Sequence, residues 1–573
     1  MPTGSCTSRR RLRAPAASTG SGEAGGTSWS WLAAASSASR CTLPAAWRSS
    51  PARTRGSFPP DTSGNRAARA ALPTDMIPRR TLTGGAVSQL FRTKSLDKML
   101  GDAERGTQLK RTLGPFQLTI LGIGAIVGAG IFSTIGTAAA GGAGHVGAGP
   151  AIILSFMLTA IACGFAALCY AEFAAMVPIS GSAYTYAYAT LGELVAWIIG
   201  WDLIIEYAVG NVAVAISWSG YFQELLRNIG IGFPAWLGTD YRSAAMAVGK
   251  IAEVTAAGGD VSSVGPVVTL AAQALNEAPR LAGIPIVFNF PAFLIVMLIT
   301  VVLVKGIRES AWLTTGTTIL NVAIILFFVI VGMFYVKPAN WVPFAPHGFT
   351  GIWGAAAIIF FAYIGFDAVS TAAEETRNPQ RDMPIGMIAS LIICTVIYIG
   401  VAIVLTGLLH WEQLGTAQPL ATAFSAIGMN WAAGIISLGA IFACTSVLMV
   451  FQLGQPRIFF SMARDGLLPQ WAAKIHPKYR TPHVTTILTG VAVASFSCFT
   501  NINEVVELTN IGTLFAFVLV SVGILVLRYT DPGRHRPFRT PLVPLVPVLA
   551  ILSCTWLMLQ LPYVTWIRFG VWL

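Results

Sequence analysis

Within fifteen residues the sequence sets Gly122, Gly124, Gly128, Gly130 and Gly136 along one apolar stretch. A single glycine in such a stretch commonly serves close helix packing. The tighter group Gly128-Ala129-Gly130 reads instead as a break, since glycine favours an unwound backbone over a helical one. A second break is expected in Phe360-Phe361-Ala362-Tyr363-Ile364-Gly365-Phe366-Asp367, where Gly365 interrupts the run and Asp367 brings a carboxyl group into it. Unwound segments bare peptide N–H and C=O groups, which survive away from water only where they line a cavity or meet a ligand. The N-terminus of a half-helix holds a carboxylate through free N–H groups and the helix dipole. Unwound carbonyls receive an ammonium group. An α-amino acid carries both ends.

Ionisable residues inside apolar runs are costly, so each is a functional suspect. Asp202 and Glu206 are four residues apart and share a helix face. Asp202 is expected close enough to the outer half to pair with water, and Glu206, beside Tyr207, to lie deeper. Two readings stand side by side for Glu206 and Asp367. One is a hydrogen bond across helices to Ser, Tyr or backbone; the other is proton carriage, because a carboxyl taken out of water can load and release a proton near neutrality. Glu172, near the inner end of the second run, is expected at the interface. The six histidines, His145, His347, His410, His476, His483 and His535, form no H-x-x-x-H pair, and none of the eight cysteines has C-x-x-C spacing. With neither nucleophile pattern, metal-ligand spacing nor cofactor loop, the reading is a non-enzyme without metal or cofactor.

The elements that must position these residues follow from composition. The chain has 573 residues, 54% hydrophobic and 11% charged, with a mean hydropathy of +0.66. A soluble domain needs far more surface charge, whereas an outer wall facing hydrocarbon does not. Apolar runs fall near 116–140, 150–177, 193–222, 286–304, 312–336, 351–373, 385–408, 431–455, 484–499, 508–527 and 543–563. These fit the roughly 20 residues needed to cross a bilayer as a helix. A twelfth run begins near Thr565 and reaches Leu573, too short to cross, so the last span is expected to be truncated. The fold expected is an all-α integral membrane protein.

Lys and Arg collect in cytoplasmic loops. One set of alternating loops holds Lys305 and Arg308, then Arg377 and Arg381, then Arg457, Arg464, Lys474, Lys478 and Arg480, then Arg528, Arg534, Arg536 and Arg539; the opposite short loops offer Lys337. The N-terminus is therefore expected in the cytoplasm and the protein in the cell's plasma (inner) membrane. The long connection 223–285 crosses regardless of its charge and is expected outside, with room for short surface helices.

Residues 1–111 carry 18 Lys and Arg against 6 Asp and Glu, which accounts for the whole net charge of +12; the remainder carries 19 of each sign. A basic tail beside anionic lipid explains that excess, and nucleic acid is not the partner expected. Residues 1–94 form this tail. Its first 75, rich in Ala, Ser, Gly, Pro and Arg, are expected to be disordered and to precede the natural start near Met76.

The first and sixth runs, both interrupted, occupy corresponding positions of two five-span halves. That pattern points to inverted repeats with a site at mid-membrane depth. The halves are expected at 95–336 and 337–527, with a further region at 528–573.

The motifs themselves carry a resemblance. Gly124-Ala125-Ile126-Val127-Gly128-Ala129-Gly130-Ile131-Phe132 resembles the first-span motif of the amino acid–polyamine–organocation superfamily. The run from Phe361 to Pro384 resembles its cationic amino acid transporter family and the bacterial relatives of that family. So do Trp201-Asp202 with Glu206-Tyr207, the segment Gly306 to Trp312, Gly454-Gln455-Pro456-Arg457, and Ala463 to Leu467. The resemblance covers Ser95 to Leu573. It implies a leucine-transporter-like fold, two inverted five-span repeats plus additional C-terminal spans.

The same resemblance implies that Gly128, Ala129 and Gly130 bind a substrate carboxylate. Phe361, Ala362 and Ile364 would offer carbonyls to its amine, Phe361 also serving as an outer gate. Glu206 and Asp367 match acidic positions of proton-coupled relatives. Asn321, the third coupling candidate, stands where several relatives have a Lys in the fifth span. Since an amide cannot change charge, either the carboxyls carry coupling, or the protein works as a facilitator, or a cation such as sodium returns to that site. The implied function is a secondary, proton-coupled amino acid permease working by alternating access. Its partners would be the amino acid, protons and membrane lipids, with no obligatory protein partner. A polyamine or amine exchanger, a facilitator without coupling and a substrate sensor are the alternatives on the same fold.

Overall fold

The computed structural model describes residues 92–95, 111, 113–142, 145–179, 181–256, 258, 266–305, 311–479 and 481–573. The tail read at 1–94, apart from its last three residues, lies outside them, as do Met76, Arg480 and Gly306 to Ser310 with Arg308.

Proline at the first helical position, where no N–H is needed, starts α1 (Pro115–Ile126). After an interruption the chain resumes in a π-helical turn, Gly130–Thr134, and α2 (Ile135–Ala140), bent 41° from α1. A two-residue hairpin, β1 (Gly141–Gly142) with β2 (His145–Val146), leads into α3 (Ile152–Met176). The short α4 (Ser182–Thr190) precedes α5 (Glu193–Asn228).

The long connection does hold surface helices, α6 (Tyr241–Ala256) and α7 (Pro266–Glu277), which close on a small core of Ala244, Ala274, Ala278 and Val287. A hairpin, β3 (Arg280–Leu281) with β4 (Ile284–Pro285), follows. Then come α8 (Phe290–Lys305), α9 (Ala311–Met333) and α10 (Gly348–Ile359). Two 3-10 segments, Phe360–Tyr363 and Asp367–Glu375, continue α10, and α11 (Pro379–Leu408) again opens on proline. The remaining helices are α12 (Pro419–Ala426), α13 (Asn430–Arg464), α14 (His483–Phe499), α15 (Ile502–Thr530), α16 (Leu545–Leu559) and α17 (Tyr563–Trp572).

Among the described residues seven helices are long and apolar enough to cross a bilayer, or nine if each of two bent pairs is one span. This is fewer than the eleven runs of the sequence. Runs 286–304 and 484–499 fold as the shorter apolar helices α8 and α14. The last run and the start of a twelfth form one bent pair, α16 and α17, turned by 111° at Gln560-Leu561-Pro562. Proline cannot donate to the ladder, so the helix restarts there.

At the core, α5 packs along α13 and α15, and α11 packs along α3 and α1. Small residues let these helices close up: Gly454 lies against the Tyr207 ring and Gly210 against Phe451. Six cysteines, Cys163, Cys169, Cys394, Cys444, Cys498 and Cys554, are buried and unpaired, acting as small apolar filling.

Glu172, expected at the interface near the inner end of its run, lies near the end of α3 under a loop. Its side chain is 1% exposed and pairs with Arg528 at 2.7 Å and Arg536 at 3.1 Å. It also accepts the Thr540 N–H at 2.7 Å. The loop between α15 and α16 thus folds back over the end of α3 and removes Glu172 from solvent. At the same end, Asp465 accepts from Tyr184 at 2.8 Å and pairs with Lys94 at 3.3 Å.

Candidate functional site

Both expected interruptions are present. At the first, Val127 leaves the helix with ψ of 95° after its N–H bonds to the Ile123 carbonyl at 2.8 Å. Ala129 is helical again, and the N–H groups of this new start have no acceptor within their own helix. At the second, Ile364 is extended at ψ 133° and Gly365 takes φ of +123°. Only glycine adopts that conformation without strain. The ladder is cut in both spans.

The two interruptions lie against each other. A Cβ added at Gly130 would collide with the Ala362 backbone. One added at Gly365 would come within 2.6 Å of the Ala125 carbonyl oxygen and 3.0 Å of the Ile126 nitrogen. Gly128 turns instead to α13, where its Cβ would stand 2.8 Å from a Val447 methyl. Gly128, Ala129, Gly130, Phe361, Ala362 and Ile364 are all buried. Of the six residues singled out in the sequence, the structure sets Gly130 directly against Ala362, while Gly128 faces Val447.

Carbonyls orphaned by the breaks are met by side chains the sequence did not single out. The Asn510 amide of α15 donates to the carbonyls of Ala357 at 2.8 Å and Ile358 at 3.1 Å. The Tyr398 hydroxyl of α11 donates to Ile126 at 3.1 Å, and Tyr221 of α5 to Phe132. Ser133 joins Ser217 and the Ala417 carbonyl. The sequence signal was faint: Asn510 and Tyr398 are among several polar groups in their apolar runs. Asn510→Leu is expected to strand two buried carbonyls, at about 1–3 kcal/mol per unsatisfied group. The thermal unfolding midpoint in detergent should fall by several degrees, and an unchanged midpoint would refute the bracing role.

The carboxyls gather on one side of the second break. Asp367 accepts the Gly365 N–H at 3.1 Å through Oδ1, a local bond within the break rather than one across helices. Glu206 reaches the Thr513 hydroxyl and lies within electrostatic range of both Asp367 and Asp202. Its Oε2 has no hydrogen-bond partner. Asp202 does not approach water: it is fully buried, neither oxygen has a partner, and Oδ1 faces Gly512 of α15. The helix face it shares with Glu206 points into the α5–α15 seam. Among the described residues no group of three His, Cys, Asp or Glu is placed to hold a metal ion.

Asn321 sits on α9. It lies one turn from Thr318, whose hydroxyl packs on Gly124 just ahead of the first break. It is 1% exposed, and its Oδ1 has no partner.

A sequence profile of the family described as amino acid permease matches residues 113–567, which take in both interruptions and, among the described residues, all seven helices long and apolar enough to cross a bilayer. The chain belongs to the amino acid permease family. It is a multi-pass membrane transporter of the amino acid–polyamine–organocation superfamily rather than an enzyme. The permease is 46% identical to the branched-chain amino acid permease BcaP of Bacillus subtilis (strain 168) over 485 residues, 84% of this chain and 95% of that protein. It is 43% identical over 488 residues to the methylthioribose transporter of the same organism, 85% of this chain and 96% of that one. With the vacuolar cationic amino acid transporter 2 of Arabidopsis thaliana it shares 36% over 457 residues, 79% of this chain and 65% of that protein.

Proposed function

We propose that the permease is a proton-coupled carrier of a neutral α-amino acid with an apolar side chain, bound at the two interruptions. The observation that carries this reading is the crossing of Gly130 with Ala362 and of Gly365 with Ala125. Two cut ladders in contact offer N–H groups from one segment and carbonyls from the other, the complement of a zwitterion. Gly128, Ala129 and Gly130 would take the carboxylate; Phe361, Ala362 and Ile364 would present carbonyls to the ammonium, with the Phe361 ring as outer gate. Val447 facing Gly128, and the branched-chain permease among the relatives, favour an apolar side chain.

The spans up to α9 and from α10 to α15 would form the inverted repeats that rock about this site. The N-terminus and the Arg-rich loops would lie in the cytoplasm, with the protein in the cell membrane. Glu206 and Asp367 would carry coupling, because Asn321 cannot change charge. Asp367→Asn keeps an acceptor for the Gly365 N–H, so it separates charge from geometry. Asp367→Asn and Glu206→Gln are each expected to flatten the dependence of uptake on pH while the protein stays folded. Wild-type pH profiles in both would remove them from coupling.

The test of the whole reading is counterflow in liposomes under an imposed pH gradient, screened against the amino acids, common polyamines and methylthioribose. Saturable, gradient-driven exchange of isoleucine, leucine or valine is expected. Exchange confined to polyamines, or flux without saturation, would overturn it.

A further inference from the structure

A site unrelated to the interruptions lies where the start of α11 meets the loop between α15 and α16. A polar cavity of about 390 Å³ is lined there by Met176, Gln380, Asp531, Arg534 and His535. Beside it an apolar groove of about 660 Å³ runs along Pro384, Ile385, Ile388 and Ile392, walled by Phe538. The two share Gln380 and Pro537. They make one continuous surface with a polar head and an apolar channel.

We propose that this surface binds an anionic phospholipid from the leaflet beside the Arg-rich loop. Along α11 the stretch from Arg381 to Ile392 spans about 16 Å at the helical rise. The hydrocarbon of one leaflet is about 15 Å deep, half of the bilayer core. Ile385 is 41% exposed and Ile392 58% exposed, so the channel opens sideways toward lipid and is not capped by protein.

The head is basic. Arg381 and His535 are exposed, and among the described residues no carboxylate pairs with Arg381. Arg534 pairs with Asp531 at 3.4 Å, the single acid of the lining. Arg539, exposed beside Phe538, adds a further charge. Basic groups at a membrane surface favour anionic lipid. The loop forming one wall is tied to Glu172 through Thr540 and Arg536, so a lipid seated here braces that clasp.

Native mass spectrometry of the purified full-length permease, titrated in detergent with phosphatidylglycerol or phosphatidylcholine, tests this without reference to transport. Phosphatidylglycerol is expected to bind at least several-fold more tightly than phosphatidylcholine. The double variant Arg381→Gln/His535→Gln should erase that preference. Ile388→Trp, which fills the channel, should weaken both lipids. Soluble glycerol phosphate should not compete. Equal binding of the two lipids by the wild type, unchanged binding by both variants, or competition by glycerol phosphate would each overturn the proposal.

Discussion

Uptake by a Gly130→Val permease is expected to fall to background, and Gly130→Ala should behave almost as badly. The first side-chain carbon already meets the Ala362 backbone, so no rotamer choice relieves the conflict. Overpacking of this kind costs about 1–3 kcal/mol, and here it falls on the contact that closes the two interruptions. Ala362→Gly should not rescue the variant, because the nearest atom is the Ala362 Cα rather than its methyl. Gly164 on α3 supplies the contrast: a Cβ there meets nothing within 4 Å. Gly164→Ala should keep full uptake and gain roughly 0.5–1 kcal/mol of helix stability. Robust uptake by Gly130→Val would show that the interruptions need not touch.

The second large effect concerns stability rather than transport. Glu172→Gln is expected to lower the unfolding midpoint sharply, because it leaves the nearly buried Arg536 without its carboxylate. Removing one partner of a buried ion pair costs about 3–5 kcal/mol. Arg536 still donates to the carbonyls of Leu527, Pro532, Arg534 and Asp531, which holds the loss toward the lower end. Arg528→Gln should cost less, since Arg528 is 25% exposed and water screens its share. Thermal unfolding of the three proteins side by side checks the order. Equal midpoints would mean that the loop's clasp contributes nothing.

The breaks were legible in the sequence because glycines and a carboxyl interrupt otherwise apolar runs. What meets what was not. That Gly130 finds Ala362, and Gly365 finds Ala125, depends on how α1 and α10 cross, and spacing within either run carries no record of it. The bracing by Asn510 and Tyr398 was hidden for the same reason: a lone amide or phenol in a span does not reveal which carbonyl it faces.

Asp202 was expected near water because its run places it only by position along the helix. The packing of α5 on α15 buries it against Gly512. The cover over Glu172 was not legible, because the loop ending at Thr540 comes from a distant part of the chain. Each of the eleven apolar runs folds as helix, but two are as short as Phe290–Lys305 and His483–Phe499, and the last turns at Pro562. Hydropathy registers apolar length, not the bend that divides it.

If bared peptide groups grip both ends of a zwitterion, masking either end must destroy affinity. Binding of radiolabelled isoleucine to the purified permease, competed with isoleucinamide and with N-acetylisoleucine, measures this directly. Both analogues should fail to compete, while leucine and valine displace the label. Displacement by either analogue at the concentration where isoleucine itself displaces would place the recognition elsewhere.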